Sequence, residues 1–584
     1  MAQHLLISRA ATSRRRLRVP APAPARRNPV KLALGSNTLE QLDGGRMPNQ
    51  RASTRRRDVA VAVTLALLGA WARWTSIPRH GFFFDDAWVV VGAISLTPGD
   101  LLVVGSAHPG FTTLLHVVGQ LVGHSTWAMS APSLIVGLLG PPIVYIGLRA
   151  LHHSRVVSAV TAIPLLVNPV HVAYSGRPKS YVFDFAAVML LAAIIPRMAD
   201  RRWRWSTGLA WAAAMIVVGT FSGYLTIATA LASVVLLVHP RSDTAVRLAA
   251  VVTQGIVQLV LYLASRNTAD MDGIQEYQEV VHDGHLTFTL NPLEMGRQLI
   301  RHLGRIAEVY PGGPTRLMQV VGVATVSMLL VAALGRGTSR HETVASRFLI
   351  ALMAFAAAAA TAGMVPFGNS TNDWISVGGS HGGRHSLWLV PAIAVGGAGL
   401  LQRFRNLVGR LVERRNRATP GQPGLVGVRI ADACLIGLAA LAVLTTPDRV
   451  PYPHPGSQHV VREALAQWGD DGILIVVGDL AYILAAHSDL PRHLVATPDQ
   501  QVGFTPEFDD PLIHALGPWT TTPIDPAAVA DAVGSNDRVV VLGVWIGPSQ
   551  TTVIDATLQE LGFVRTSGLL QDYTVTVWER PDQE

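Results

Sequence analysis

The chain has 584 residues, 49% of them hydrophobic and only 15% charged, with a formal net charge of +8. That balance is too apolar for a soluble protein of this size and reads as a polytopic membrane protein. The arginines lie in short loops between apolar runs, which excludes a nucleic-acid-binding face, and the single cysteine, Cys434, excludes disulfides and a Cys-based zinc site.

Residues 1–57 carry Arg14-Arg15-Arg16 and the run Pro20-Ala21-Pro22-Ala23-Pro24 but no apolar stretch long enough for a signal-peptide core, so a disordered cytoplasmic tail is expected there. Beyond it, segments of about 20 mostly apolar residues recur, the length a helix needs to cross a bilayer. About eleven spans are expected, near 59–77, 129–149, 156–173, 181–196, 207–220, 222–238, 248–265, 317–335, 348–365, 387–402 and 424–446. The fifth and sixth are short and separated only by Phe221-Ser222-Gly223-Tyr224, the pattern of a tight helical hairpin.

Orientation follows from the cations, which are retained in the cytoplasm when they flank a span. One set of loops holds Arg55-Arg56-Arg57, Arg149 and Arg155, Arg197 with Arg201, Arg202 and Arg204, Arg241 with Arg247, Arg336 with Arg340 and Arg347, and the cluster from Arg403 to Arg417. The opposite loop, from Pro78 to Ala128, has Arg79 as its one arginine and contains Asp85 and Asp86. The N-terminus is therefore expected in the cytoplasm. The acidic pair, and everything after about Thr446, is expected outside a plasma membrane.

Residues 447–584 differ in kind from the membrane segment 58–446. Short β-like runs, Ile473-Leu474-Ile475-Val476-Val477 and Arg538-Val539-Val540-Val541-Leu542, alternate with helical patterns such as Thr551 to Leu561, and the segment closes on Tyr573-Thr574-Val575-Thr576-Val577-Trp578. A small extracytoplasmic α/β domain is expected.

Asp85 and Asp86 lie in Phe82-Phe83-Phe84-Asp85-Asp86-Ala87-Trp88, and ionised groups near the hydrocarbon boundary are costly enough to mark a functional site. No Gly-rich phosphate loop follows a strand and opens a helix, and nucleotide sugars are cytosolic. Outer-face chemistry thus needs a donor that carries its own activation, which a sugar on a polyprenyl phosphate does. Such a site requires a carboxylate to take the acceptor proton and cations or a metal to hold the departing phosphate. In an extended chain neighbouring side chains diverge, so one aspartate is expected as base and the other as cap of the helix that Ala87 begins. The plain alternative is a pair that only solvates a loop.

Outer cations are few. Arg177 and Lys179, the latter one of two lysines in the chain, lie in a minimal loop ending at Tyr181, and Arg384 with His385 follows Gly382-Gly383 before the tenth span. Both places suit a phosphate at the headgroup boundary, with interfacial snorkelling as the alternative. Arg297, Arg301 and Arg305 recur every four residues in Glu294 to Tyr310, the pattern of an amphipathic helix on the membrane surface. His108, in Ala107-His108-Pro109-Gly110-Phe111, is either structural or a metal ligand with Asp86.

This arrangement resembles the GT-C glycosyltransferases, polytopic enzymes that use polyprenyl-phosphate sugars. The resemblance runs from Phe82 to Ala193 and returns around Arg384. It rests on the acidic pair in the first outer loop, on His108-Pro109-Gly110-Phe111 where that family often has His-Pro-Pro and an aromatic, on Arg177 to Tyr181, and on Gly383-Arg384-His385 to Pro391. It implies an inverting transfer, Asp85 as base, arginines near the donor phosphate, and a divalent metal in some members. Two departures stand out: the second acid is often Glu rather than Asp86, and Gly110 replaces a usual proline.

The expectation is therefore a plasma-membrane glycosyltransferase acting in cell-envelope glycan, glycolipid or glycoprotein assembly. Its partners would be a polyprenyl-phosphate sugar, a glycan, lipid or protein acceptor, and membrane lipids. Asp85 would deprotonate the acceptor, Asp86 would orient the site or a metal, and Arg177, Lys179 and Arg384 would stabilise the leaving phosphate, with His108, Tyr181 and His385 lining the substrate. The rival is a transporter or flippase of lipid-linked sugars, which would place ionisable groups at the bilayer midplane. Here Asp184 is the main charge inside a span.

Overall fold

The computed structural model describes residues 48–74, 81–95, 97, 109–239, 243–265, 285–336, 338–368, 382–416, 424–444, 457–469, 472–478, 480–497, 502–517, 523–544, 548–570 and 573–581. Residues 57–584 pack as one unit. The first helix, α1 (Pro48–Arg73), starts inside the stretch expected to be a disordered tail. Pro48 suits a first helical turn, and neither glycine nor proline follows until Gly69, so nothing in 49–57 stops the helix.

After α2 (Phe84–Ile94) and α3 (Pro109–Val122) come α4 (Thr126–Ala150), the broken series α5 (Arg155–Ala162), α6 (Pro164–Val167) and α7 (Pro169–Ser175), then α8 (Tyr181–Asp200), α9 (Trp205–Gly219), α10 (Gly223–Val238) and α11 (Thr244–Ser265). The series continues with α12 (Pro292–Val309), α13 (Thr315–Ala333), α14 (Arg340–Thr361), a 3-10 turn Gly382–Leu389, α15 (Val390–Asn416) and α16 (Gly424–Leu444). The segments expected to span are mostly helical where they are described. Among the described residues six helices are long and apolar enough to cross a bilayer, or seven if the bent run Arg155–Ser175 is one span. At 15 and 16 residues, α9 and α10 reach only about 22–24 Å, short of a hydrocarbon core of roughly 30 Å. Leu209, Ile256, Leu259 and Leu263 stand exposed on this part of the bundle, as lipid-facing side chains do.

The expected single span at 156–173 is instead bent by 66° between its two halves. Pro169 has no amide hydrogen and disfavours helical backbone at Asn168, which sits at φ −61°, ψ 118°. The Asn168 side chain then accepts from His171 N at 2.8 Å and restarts the helix.

The amphipathic helix expected over Glu294–Tyr310 is α12. Arg297 is exposed on one side while His302, Ile306, Ala307 and Val309 are buried on the other. It lies close against α13 because glycines face the contact: a Cβ on Gly322 would come within 2.5 Å of Leu303 O.

The C-terminal part adds α17 (Ser457–Trp468), β1 (Ile473–Val477), α18 (Leu480–His487), β2 (Arg492–Thr497), β3 (Gly503–Phe508), β4 (Ile513–Leu516), α19 (Pro526–Val533), β5 (Arg538–Val544), α20 (Pro548–Glu560), β6 (Val564–Leu570) and β7 (Tyr573–Glu579). Five strands form a sheet in the order β4-β1-β5-β7-β6, with β1 parallel to β4 and β5 and with β7 antiparallel to β5 and β6; β2 and β3 pair separately. β1 is buried along its whole length, and the two-residue period divides it. Ile473, Ile475 and Val477 join the core under α19 and α20. Leu474 and Val476 join a cluster that also holds Phe82, Val90, Phe111 and Leu115. The sheet and the acidic helix α2 therefore share one core.

Candidate active site

Asp85 and Asp86 are the second and third residues of α2, where free backbone amides and the helix dipole favour anions. Neither occupies the cap position expected for one of them; that position is Phe83, with no side-chain capping hydrogen bond. Because the backbone is helical rather than extended, the two carboxylates do not diverge but meet one guanidinium. Arg177 Nε donates to both oxygens of Asp86 at 2.9 Å, and Arg177 Nη2 donates to Asp85 Oδ2 at 3.1 Å. Lys179 Nζ donates to Asp85 Oδ1 at 3.0 Å and lies 4.3 Å from the centre of the Trp88 ring.

The loop that brings these cations in is held from three sides. Gly176 N closes α7 onto Ala173 O, Lys179 N bonds back to Arg177 O at 2.8 Å, and Ser133 Oγ of α4 donates to Lys179 O at 2.8 Å. Arg177 also lies over the Phe83 and Tyr174 rings, at 5.2 and 5.0 Å. Asp86 and Arg177 have no exposed side-chain surface, whereas Asp85 retains 19%. Burial opposes the Asp85 charge, but Lys179, Arg177 and Arg384 outweigh it and hold the carboxyl well below the usual aspartate range. Burial pulls Lys179 below the ordinary lysine value, against the attraction of Asp85 and Asp86.

Arg384 enters from the 3-10 turn. Its Nε donates to Tyr181 Oη at 3.3 Å and its guanidinium lies 5.9 Å from the centre of that ring. Its Nη1 is buried and has no hydrogen-bond partner among the described residues. His385 Nδ1 is 2.9 Å from Tyr224 Oη, and its ring meets Tyr181 edge-on. Asp85, Asp86, Arg177, Lys179, Tyr181, Arg384 and His385 thus gather at one end of the helical bundle. His108 lies outside the described residues.

The Gly110 departure has a local reason. Its amide donates to Thr220 O at 2.9 Å, which proline could not do, and a Cβ there would lie 2.2 Å from Thr220 Oγ1. The turn it touches is pinned by Asp184, the main charge expected inside a span, which accepts from Ser222 Oγ at 2.5 Å.

Sequence reasoning missed Tyr224, which a hairpin tip between two short helices gave no reason to single out. It also missed Arg73, at the end of α1 and fully buried. Arg73 Nη2 donates to Leu165 O at 3.0 Å, and Leu165 is the residue whose carbonyl Pro169 would have bonded had it an amide hydrogen. The same guanidinium reaches His171 Nδ1 at 2.7 Å and Ser175 Oγ at 3.0 Å. Room for those partners comes from Gly140 and Gly137 on α4, where a Cβ would meet His171 and Ser175.

Among the described residues no three His, Cys, Asp or Glu side chains converge as metal ligands. The acidic pair already has Arg177 and Lys179 as counter-ions, and a divalent cation would have to displace them. Among the described residues these donors do not fit a resident metal.

The chain is a polytopic helical membrane protein with a C-terminal α/β layer over its acidic helix. No protein-family model matches it, and no curated protein does. Solved structures with a similar course include ArnT from Cupriavidus metallidurans in the apo state, at 13% identity and a TM-score of 0.49, covering 90% of this chain and 98% of that one. ArnT from the same organism bound to undecaprenyl phosphate follows at 12% identity and 0.49, covering 89% and 97%. The Archaeoglobus fulgidus oligosaccharyltransferase, in complex with Zn and sulfate, has 12% identity and 0.39, covering 82% and 67%. At these identities the likeness concerns the course of the chain and not its chemistry.

Proposed function

We propose that this protein is a membrane glycosyltransferase that moves a sugar from a polyprenyl phosphate to an acceptor hydroxyl on the extracytoplasmic face, in cell-envelope glycan, glycolipid or glycoprotein assembly. The observation that carries the reading is the buried Arg384, whose Nη1 is unpartnered among the described residues, beside a carboxylate, Asp85, that keeps some exposure. An anion site next to a base is what transfer from a phosphate requires.

In the reaction the acceptor oxygen attacks the anomeric carbon as the bond from that carbon to the phosphate oxygen breaks. The hydroxyl proton passes to Asp85, and the electron pair leaves with the polyprenyl phosphate. Arg384 and Lys179 hold the departing phosphate, and Tyr181 aims Arg384. Arg177, expected at the phosphate, instead serves as counter-ion to both acids, and Asp86 anchors it. When phosphate draws Lys179 and Arg384 toward itself, Asp85 loses counter-charge and becomes the stronger base. Donor binding thereby arms the base.

A transporter would share the broken helix α5–α7. Its freed carbonyl is taken by Arg73, and the ion cluster sits at helix ends, which favours the enzyme. The test is incubation of purified protein with radiolabelled polyprenyl-phosphate sugars, with and without chelator, beside Asp85→Asn. Wild type should transfer at least one sugar and the variant should lose about 10²-fold or more in rate. Transfer of none of the sugars, or full activity in the variant, would refute the reading.

A further inference from the structure

A cavity lies beside α2, between the helical bundle and the C-terminal layer. It has a volume of about 790 Å³, within the roughly 300–1,000 Å³ of small-molecule sites, and its lining includes Trp74, Trp127, Gln458, His487, Asp489 and Arg492. Trp74 and Trp127 are exposed, the first directly after α1 and the second at the start of the apolar α4, and tryptophans at the ends of spanning helices sit at headgroup level. Facing them are an amide, a carboxylate and a guanidinium. Arg492 Nη1 is fixed on the carbonyls of Ser488 and Leu490, at 3.2 and 2.9 Å.

The charges indicate what the cavity takes. Asp489 offsets part of the Arg492 charge, so the lining presents one carboxylate and one guanidinium rather than a cluster of cations. Planar groups that both donate and accept suit a ligand dense in hydroxyls, and flat aromatic rings suit the C–H faces of pyranose or furanose rings.

His487 joins this cavity to the acids. Its Nε2 accepts from Phe82 N at 3.1 Å and its ring stacks on Phe82 at 5.1 Å. Burial lowers its pKa to about 4, which keeps the ring neutral and Nε2 an acceptor at pH 7. The backbone fits closely here: Gly81 has φ +129°, and a Cβ would lie 2.0 Å from Ser457 Oγ. From Phe82 to Asp85 the chain spans at most about 10 Å, so the wall that His487 shares with Phe82 lies within a few residues of the acids.

We infer that this cavity binds an uncharged glycan, the growing end of a membrane-anchored acceptor. That this glycan is the acceptor rests on the proposed transfer; binding stands or falls by itself. Full-length protein in amphipol is mixed with neutral trisaccharides built from glucose, mannose or arabinose, and saturation transferred from protein to sugar protons is read by NMR. At least one trisaccharide should be saturated, tetraethylene glycol should not be, and Trp127→Ala and Asp489→Asn should each weaken the signal by about fivefold or more, on the order of 1 kcal/mol. Both positions are exposed, and unchanged melting temperatures will exclude unfolding. Failure of every trisaccharide, insensitivity to both variants, or displacement of sugar by inorganic phosphate would overturn the assignment. Binding without any transfer would sink the transfer reading and leave the site; transfer without binding would do the reverse.

Discussion

Arg177 donates one nitrogen, Nε, to both carboxylate oxygens of Asp86 at 2.9 Å, and neither side chain exposes any surface. A pair this deep is fixed as a unit: its desolvation nearly offsets its attraction, yet removal of one member leaves a buried, uncompensated charge. Arg177→Met should therefore cost about 3–5 kcal/mol, and Asp86→Leu a similar amount. The double variant should recover most of that loss. Thermal unfolding of detergent-solubilised protein, followed by tryptophan fluorescence, decides the matter. Single losses that simply add in the double variant would show that the pair is not coupled.

Asp85 carries the pH dependence. Its folded pKa is depressed from the ordinary 3.8, so its contribution to stability is present above that value and lost only as pH falls through the lower folded value. For activity the same sign holds, because the base must be ionised. The acid limb of kcat/KM, which reports free enzyme, should lie below the usual aspartate range. The acid limb of kcat should lie higher, since bound phosphate draws off Lys179 and Arg384. Lys179→Met removes one of the lowering influences and should move the kcat/KM limb to higher pH. Coincident limbs in the wild type, or a limb that moves down in the variant, would contradict a donor-armed base.

The bundle was legible because apolar runs of spanning length and loop arginines are one-dimensional signals, and the C-terminal strands because β-branched runs alternate with helical periodicity. The acidic pair stood out by its cost. Which cation answers which acid was not legible: Arg177 and Arg384 look alike in sequence, and only packing reveals that one is saturated by carboxylates while the other keeps a donor unpartnered among the described residues. Arg73 was hidden for a different reason. An arginine at a helix end reads as snorkelling, and its partner carbonyl exists only because a proline far along the chain has left it unbonded.

Sidedness underlies the choice of donor, so it has its own prediction. With Cys434 replaced by serine, a cysteine at the exposed position Glu560 should react with a membrane-impermeant maleimide in intact cells. A cysteine at the exposed position Arg202 should react only after permeabilisation. The opposite labelling pattern would put Asp85 with the cytosolic nucleotide sugars and remove the need for a lipid-borne donor.

Arg73 positions the segment that ends in Arg177 by standing in for an amide that Pro169 lacks. Losing it leaves Leu165 O and neighbouring polar groups buried without their donor, at about 1–3 kcal/mol for each. Arg73→Gln should therefore lower the melting temperature and reduce kcat more than it raises KM, because the acids lose registry with Arg177. Arg73→Lys, which can reach the carbonyl but cannot fork to His171 and Ser175 as well, should fall between. The discriminating experiment is Pro169→Ala in the Arg73→Gln background: alanine supplies the amide hydrogen, so the carbonyl of Leu165 regains a donor and stability should rise in part. If Pro169→Ala gives no recovery there while Arg73→Lys behaves as wild type, a positive charge near the break is sufficient and the substitution of side chain for backbone amide is the wrong account.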